Sequence, residues 1–278
     1  MRIDAHQHFW SYSPAEYDWI GEEMRAIRRD FLPPDLAPLL TAAGLDGTVA
    51  VQARQSLTET DWLLRLSDSA RLIKGVVGWV PLAGAERSVI SRLERYCEHP
   101  RFKGVRRVLQ SEPDACFSDD RFNAALDAIE SFDLAYDLLI FARQLPAALP
   151  WVDRHARLRI VLDHIAKPVV NGAPAREWRA HIRELGWRPN VSCKFSGVVT
   201  EVPGWQWTPE LVRPYFEVVL EAFGPERLMF GSDWPVCLVA ADYARWVQVV
   251  EDLVRPLSPD ERAAIMGGTA AKIYRITS

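Results

Sequence analysis

Short apolar runs alternate with longer amphipathic stretches along most of the chain. The apolar runs predict eight strands, near residues 2–9, 47–54, 73–81, 102–110, 134–141, 159–164, 191–197 and 227–233. The stretches between and after them predict helices over residues 58–70, 85–98, 120–131, 144–155, 175–185, 209–223, 240–253 and 258–274. Strands that alternate with helices in this way are typical of parallel βα units.

Eight such units in a chain of 278 residues predict an α/β fold of the (β/α)8 TIM-barrel type. An open, doubly wound sheet is the alternative, but no glycine-rich phosphate turn follows the first strand. No linker rich in glycine, serine or proline divides the chain, so residues 1–278 are expected to form a single barrel domain.

Two connections that follow strands are rich in aromatic residues. Residues 10–38 carry Trp10, Tyr12, Tyr17, Trp19 and Phe31, and residues 200–208 carry Trp205 and Trp207. In a barrel these connections lie over the carboxyl-terminal face, where substrates bind. They are therefore expected to form a lid or a stacking surface, or else to pack on the barrel rim.

Composition excludes several classes of protein. A formal net charge of −4 argues against bulk binding of nucleic acid. No apolar run approaches the length of a membrane span, and the opening residues do not resemble a secretory signal, so a cytoplasmic protein is expected. The four cysteines have no CxxC spacing and are expected to be reduced and mostly buried, at Cys97, Cys116, Cys193 and Cys237.

Candidate chemistry begins at the end of the first strand, in the sequence DAHQH. His6 and His8 are two residues apart, so their side chains share one face of the strand. Two adjacent imidazoles can bind a metal ion or polarise a carbonyl group.

The last strand ends in RLMFGSDWP, which places Asp233 beside the first strand if the barrel closes. An aspartate next to two histidines is a candidate metal ligand or general base, although a turn or helix cap is the plainer interpretation. The sixth strand ends in RIVLDHIAKP, where His164 is expected to face the site and Asp163, of opposite parity, to face the helices.

Basic and amide side chains complete the set. Lys194 lies in the seventh predicted strand, Arg106 and Gln110 in the fourth, and Arg54 ends the second. Together with the histidines they are expected to concentrate positive charge at one mouth of an acidic protein. Such a mouth suits a substrate that carries carbonyl, hydroxyl or carboxylate oxygens.

Taken together, the segments DAHQHFW, VQAR, FARQLP, LDHIAKP, KFSGVVTE and RLMFGSDWPVC resemble the amidohydrolase superfamily over nearly the whole chain. The resemblance is greatest to the branch that holds L-fucono- and L-rhamnono-lactonases and 2-pyrone-4,6-dicarboxylate hydrolase. It implies an enzyme that opens a small-molecule sugar lactone with water. The site residues that it implies are His6, His8, His164, Lys194 and Asp233.

Departures from the two-metal members limit the cofactor that the resemblance implies. Those members use a lysine or glutamate on the fourth strand and a histidine on the fifth, where this chain has Arg106 and Asp137. At most one divalent ion such as zinc is therefore expected, held by His6, His8 and Asp233. Lactonases of this branch turn over without a metal, so the ion is treated as optional.

The predicted mechanism uses Asp233 as the base for water, and His6, His8 and His164 to orient water or to donate to the carbonyl. Lys194 or Arg106 is expected to stabilise the oxyanion. The residues expected to recognise the substrate are Arg54, Arg106, Gln110, Trp19 and Trp234. A pyrone dicarboxylate hydrolase, a nonoxidative decarboxylase and a non-catalytic sugar-binding barrel are the alternatives, and a homo-oligomer is compatible with each.

Overall fold

Eight strands form the centre of the molecule in the computed structural model, which describes residues 1–277. They are β1 (Ile3–Gln7), β2 (Gly47–Val51), β3 (Ile73–Gly78), β4 (Phe102–Val108), β5 (Ala135–Leu139), β6 (Arg159–Leu162), β7 (Val191–Phe195) and β8 (Leu228–Phe230). All eight predicted strands are present, and each is shorter than predicted because its carboxyl end belongs to the following loop.

The strands pair in parallel and in chain order, from β1 to β8. Beyond β8 the chain returns to β1: the Asp233 backbone N–H donates to the His6 carbonyl at 2.7 Å, and the His8 N–H donates to the Trp234 carbonyl at 2.7 Å. Sequential order and this closure establish a (β/α)8 barrel. They exclude the open, doubly wound sheet, whose strand order reverses at a switch point.

Helices surround the barrel. They are α1 (Pro33–Ala42), α2 (Leu57–Ser69), α3 (Glu86–Cys97), α4 (Asp120–Ser131), α5 (Leu145–Arg154), α6 (Arg176–Gly186), α7 (Pro209–Phe223), α8 (Tyr243–Val254), α9 (Pro259–Ala263) and α10 (Thr269–Ile273). The sequence did not predict α1, which lies in the aromatic stretch after β1. Its prolines argue against a helix in the sequence pattern, but two of them occupy the first turn, where a helix needs no backbone N–H donor.

The last predicted helix, over residues 258–274, is interrupted. A π-helical turn, Ala264–Gly268, separates α9 from α10. Gly267 in this turn has φ 157°, and a β-carbon there would lie 2.4 Å from the backbone nitrogen of Ile3. The break therefore lets the chain pass directly beneath the start of β1.

Apolar side chains form two layers. Inside the barrel, one residue or two from most strands pack together, including Ile3, Val49, Val77, Val161 and Met229. A larger cluster fills the space between strands and helices. Tyr274, just after α10, enters the inner cluster from below and is almost completely buried. The barrel is thus filled and closed at its amino-terminal end, which leaves the carboxyl-terminal face for a site.

Over residues 1–277, none of the helices has both the length and the apolar character that a membrane span requires.

Candidate active site

One carboxylate oxygen lies among three imidazoles at the carboxyl-terminal end of the barrel. Asp233 Oδ1 is 3.3 Å from His8 Nε2, 3.7 Å from His6 Nε2 and 3.9 Å from His164 Nε2. His6 in β1 and His8 just after it face each other, with their Nε2 atoms 3.2 Å apart. Groups far apart in the sequence therefore converge on one centre, as predicted.

The backbone is strained where it presents two of these side chains. Asp233 has φ 58° and His164 has φ 52°, both in the left-handed region. Such a conformation costs a residue other than glycine of order 1–3 kcal/mol and is found preferentially at functional sites. Next to them, Gly197 has φ 62°, and a β-carbon there would lie 2.6 Å from His164 Nδ1.

Each imidazole is anchored through its Nδ1 atom. His8 Nδ1 lies 2.8 Å from the Val51 carbonyl oxygen, which can only accept a hydrogen bond. The His8 Nδ1 N–H must therefore be the donor, and this hydrogen bond directs Nε2 of the ring toward the centre. His164 Nδ1 lies 2.9 Å from Ser196 Oγ, which fixes the orientation of that ring.

The donor set fits one metal ion. Nitrogen and oxygen ligands at about 2.0–2.2 Å from a tetrahedral zinc ion lie about 3.3–3.6 Å from one another. The corresponding distances among His6 Nε2, His8 Nε2 and Asp233 Oδ1 are 3.2, 3.3 and 3.7 Å. Anchoring of the opposite ring nitrogen, as at His8, is also typical of histidine ligands.

A buried ionic network lies beneath the imidazoles. The Lys194 ammonium donates to Asp137, lies 2.9 Å from Asp163 Oδ1 and approaches His6 Nδ1 to 3.1 Å. Arg106 Nη1 donates to Asp163 Oδ2 at 2.9 Å. The network holds His6 from below, because Asp163 Oδ1 is also 3.3 Å from His6 Nδ1.

Two predictions need correction here. Asp163 does not face the helices: it has the same parity as Val161, which packs inside the barrel, and it is completely buried in the network. His164 faces the centre as well, because the chain leaves the strand in a turn with positive φ. The second correction concerns Lys194, which was expected to stabilise the oxyanion. It is completely buried behind His6, so it cannot touch a substrate carbonyl directly.

The titration behaviour follows from burial and these contacts. Burial lowers the pKa of His6 well below its ordinary value and that of His164 to about 4, so both rings are neutral at neutral pH. Burial opposes ionisation of Asp233, but its interactions with His164, His8 and His6 outweigh that effect and lower its pKa. At neutral pH the carboxylate of Asp233 is therefore ionised beside the neutral rings of His6 and His164.

A cavity with a volume of about 480 Å³ opens above this centre. Among the predicted substrate-binding residues, those that line it are Trp19, Arg54, Arg106 and Gln110, together with His8, His164 and Asp233. Trp234 does not line the cavity: it packs against Phe31 and Phe9, with ring centroids 5.2 and 6.0 Å away. Its side chain leaves the chain next to Asp233 but points into the aromatic packing of the rim.

The aromatic loops divide between the two expected roles. Trp19 is 40% exposed and lines the cavity, as does Trp205. Trp10 and Phe31 are completely buried and pack edge to face. Trp207 is also buried, and its indole N–H donates to the Ala240 carbonyl at 3.0 Å. Most of these rings therefore build the rim, and two reach the cavity.

The expected concentration of positive charge at the mouth is wrong. Each cationic lysine or arginine side chain that lines the cavity already faces a carboxylate. Arg54 pairs with Glu16, Arg106 lies 2.9 Å from Asp163, and Lys167 lies 3.3 Å from Glu201. Asp18 and Asp233 also line the cavity. Strand-end positions identified Arg54 and Arg106, but Glu16 and Glu201, the partners of Arg54 and Lys167, come from loops that the strand pattern does not describe.

Sequence reasoning missed Lys167 and Glu201 on the cavity wall as functional candidates, and it placed Ser196 on the same face as Lys194 without giving it a role behind His164. All three lie in the segments LDHIAKP and KFSGVVTE that the sequence had singled out. The position of a segment after a strand was the signal, but it could not show which side chains turn toward the cavity.

A parallel barrel with a carboxylate among histidines at the carboxyl ends of its strands is typical of a barrel enzyme whose site can activate water. The chain belongs to the amidohydrolase family, whose family model matches residues 3–276.

Known proteins are similar to this chain over most or nearly all of its length. An L-fucono-1,5-lactonase of Burkholderia multivorans is 41% identical, with 99% of this chain and 96% of that protein covered. An L-rhamnono-gamma-lactonase of Scheffersomyces stipitis is 30% identical over 74% of this chain and 70% of that protein. The crystal structure of an amidohydrolase from Burkholderia multivorans with bound zinc superimposes with a TM-score of 0.93 at 41% identity, with both chains fully covered.

Proposed function

We propose that this protein is a lactonase that hydrolyses a sugar lactone to the corresponding aldonic acid. The observation that carries the proposal is the ionised Asp233 among three imidazole Nε2 atoms, all within 3.9 Å, at the floor of a cavity. A carboxylate placed in this way can take a proton from water. The two lactonases to which the chain is similar support the choice of a lactone as substrate.

The charge of the cavity favours a neutral, hydroxylated substrate over a dicarboxylate. Arg54, Arg106 and Lys167 each face a carboxylate, so a pyrone dicarboxylate would have to displace these partners or remain unpaired. Burial of an unpaired charge is costly. A lactone without ionisable groups meets no such penalty.

The hydrolysis that we propose begins at Asp233. Its carboxylate accepts a proton from water as the water oxygen bonds to the lactone carbonyl carbon. When the bond between that carbon and the ring oxygen breaks, Asp233 returns the proton to the ring oxygen, which becomes the free hydroxyl. The new carboxylic acid then ionises, so each turnover releases one proton to solution.

Arg106 is the better candidate for stabilising the oxyanion. It lines the cavity, whereas Lys194 is completely enclosed. We assign Lys194 a positioning role: with Asp163 it holds His6 from below. Loss of one oxyanion donor commonly costs about 2.7–4 kcal/mol in activation free energy.

We propose His6, His8 and Asp233 as the ligands of one optional divalent ion, with zinc as the first candidate. When bound, the ion would supply Lewis-acid polarisation and would lower the pKa of coordinated water. The bound zinc of the similar structure from Burkholderia multivorans supports this assignment.

The central test is Asp233→Asn, assayed by proton release against a panel of aldonolactones. The amide cannot take the proton from water, so kcat should fall by about 10²–10⁴-fold, the usual contribution of general acid–base catalysis. Asp242→Asn is the matched control, because Asp242 is exposed and caps α8 through the Arg245 backbone N–H at 2.7 Å.

The control should retain the wild-type rate. If Asp233→Asn also keeps near wild-type turnover, the role of Asp233 as the general base is refuted. A wild-type protein that hydrolyses a pyrone dicarboxylate but no aldonolactone would refute the substrate class, and release of CO2 would indicate the decarboxylase instead.

Zinc binding is measured separately by titration of the chelator-treated protein. One zinc per chain is expected, and His8→Ala should abolish binding because it removes one of the three ligands. Equal zinc binding by both proteins would exclude this ligand set. Turnover measured at each zinc occupancy decides whether the ion is needed. The cytoplasmic location and the homo-oligomeric state stay predictions.

A further inference from the structure

Three loops bring Gln110, Lys167 and Glu201 together on the wall of the cavity. They follow β4, β6 and β7, respectively. The Lys167 ammonium donates to Gln110 Oε1 at 3.1 Å and lies 3.3 Å from Glu201 Oε1. The side chains of the charged pair are 19% and 17% exposed, and all three residues line the same cavity as Asp233. The cluster is thus open to a bound molecule but shielded from bulk water.

The backbone that carries Lys167 is strained. Four consecutive residues, from His164 to Lys167, have φ between 45° and 61°, and none is glycine. Each such residue costs of order 1–3 kcal/mol and persists only where its surroundings enforce the conformation. The turn places His164 at the catalytic centre and, three residues later, places Lys167 on the cavity wall. The same strained turn therefore positions a side chain of the candidate centre and a side chain of this cluster.

The chemistry of the three groups matches hydroxyls. A carboxylate accepts hydrogen bonds, an ammonium group donates them, and an amide does both. Their charges cancel within the pair, so the cluster has no net affinity for an anion. Neighbouring hydroxyls of a ring can each donate to the carboxylate and accept from the ammonium or amide.

We propose that Gln110, Lys167 and Glu201 form a subsite that recognises vicinal hydroxyls of the lactone ring and so determines which lactones are accepted. The assignment rests on the proposed lactonase function, and it adds a specificity role that the catalytic centre itself does not supply.

A comparison within the chain separates this role from that of an ordinary structural ion pair. Arg107 and Glu112 also form a half-buried pair at the same end of the barrel, with two hydrogen bonds of 2.9 and 2.7 Å. Neither residue lines the cavity. Glu112→Gln therefore removes the same charge from a similar environment without touching the subsite.

The test combines enzyme variants with substrate variants. Wild type, Glu201→Gln, Lys167→Met and the control Glu112→Gln are assayed with one aldonolactone and with each of its monodeoxy forms. A site built to bind a hydroxyl discriminates strongly against an analogue that lacks it. In wild type, loss of at least one recognised hydroxyl should lower kcat/KM by about 10–100-fold, the range expected for hydrogen bonds to charged groups.

In Glu201→Gln and Lys167→Met, removal of the same hydroxyl should change kcat/KM by less than about threefold, because the recognising group is already lost. The control should keep the wild-type pattern. If either variant fails to fold, as judged by circular dichroism, the other carries the comparison, and Gln110→Leu provides a third.

If removal of the hydroxyl lowers kcat/KM equally in wild type and in the folded subsite variants, the subsite is refuted and the lactonase function still stands. Failure of wild type to hydrolyse any aldonolactone would instead overturn the proposed function, and the subsite with it.

Discussion

Tyr274 connects the closed end of the barrel to the network beneath the candidate site. Its hydroxyl reaches both oxygens of Asp137, at 2.8 and 3.0 Å, and Asp137 in turn accepts from Lys194. All three side chains are essentially inaccessible to solvent. Tyr274→Phe removes only the hydroxyl and leaves the ring in place, 5.4 Å from the Lys194 ammonium.

The expected loss of stability can be bounded. Hydrogen bonds to charged groups contribute about 1.5–3 kcal/mol, and water cannot easily replace the hydroxyl at a buried carboxylate. We therefore expect Tyr274→Phe to lower the free energy of unfolding by about 1.5–3 kcal/mol. That is a large share of the roughly 5–15 kcal/mol by which folded proteins are stable.

The assay is equilibrium unfolding in urea, with Tyr136→Phe as the control. Tyr136 is equally buried and is the neighbour of Asp137 on β5, but its hydroxyl has no hydrogen-bond partner. Its removal should cost nothing or should stabilise the protein. A Tyr274→Phe loss below about 0.5 kcal/mol, or an equal loss in both variants, would show that the hydroxyl does not stabilise the network.

Two further predictions concern backbone space and pH. Gly197→Ala should lower kcat sharply, because the added β-carbon would displace the His164 ring. The control is Gly224→Ala: Gly224 has a similar φ of 64° but open space around it, so this variant should reduce only the melting temperature. An equal kcat in the two variants would refute the steric argument. Burial raises the pKa of Glu59 from 4.5 to about 7, so the folded state binds a proton more tightly than the unfolded state does. Glu59 therefore contributes a fall in the free energy of unfolding, on the order of 3 kcal/mol, as the pH rises from 4.5 to 7, and Glu59→Gln should remove that contribution in urea unfolding. If Glu59→Gln keeps the wild-type dependence of unfolding free energy on pH, other groups must cause that dependence.

The sequence predicted the barrel because the evidence for it is local. Alternating apolar runs and amphipathic helices recur regardless of how the units finally pack, and all eight strands are where the pattern placed them. Position at a strand end was likewise enough to bring His6, His8, His164 and Asp233 to one centre. Prediction failed where the strand pattern stops, since parity no longer applies once the chain turns. Asp163 points inward with the parity of Val161, and His164 also points inward because the chain turns there with positive φ.

The pairing of charges was also beyond the sequence. Arg54 meets Glu16 from the long loop after β1, and Lys167 meets Glu201 from the loop after β7. Neither separation along the chain nor residue type identifies such partners. They decide whether the cavity attracts anions, and so they bear directly on the substrate.

The linear order of residues determined the architecture, the set of ionisable groups and the end of the barrel at which they meet, because strand periodicity and parallel connection fix those features without reference to distant contacts. Only the folded arrangement decided which groups touch solvent, which are neutralised and which hold others in place. Lys194 shows the difference: its position in β7 was evident, but enclosure by Asp137, Asp163 and His6 changed it from a candidate oxyanion donor into a support beneath the centre.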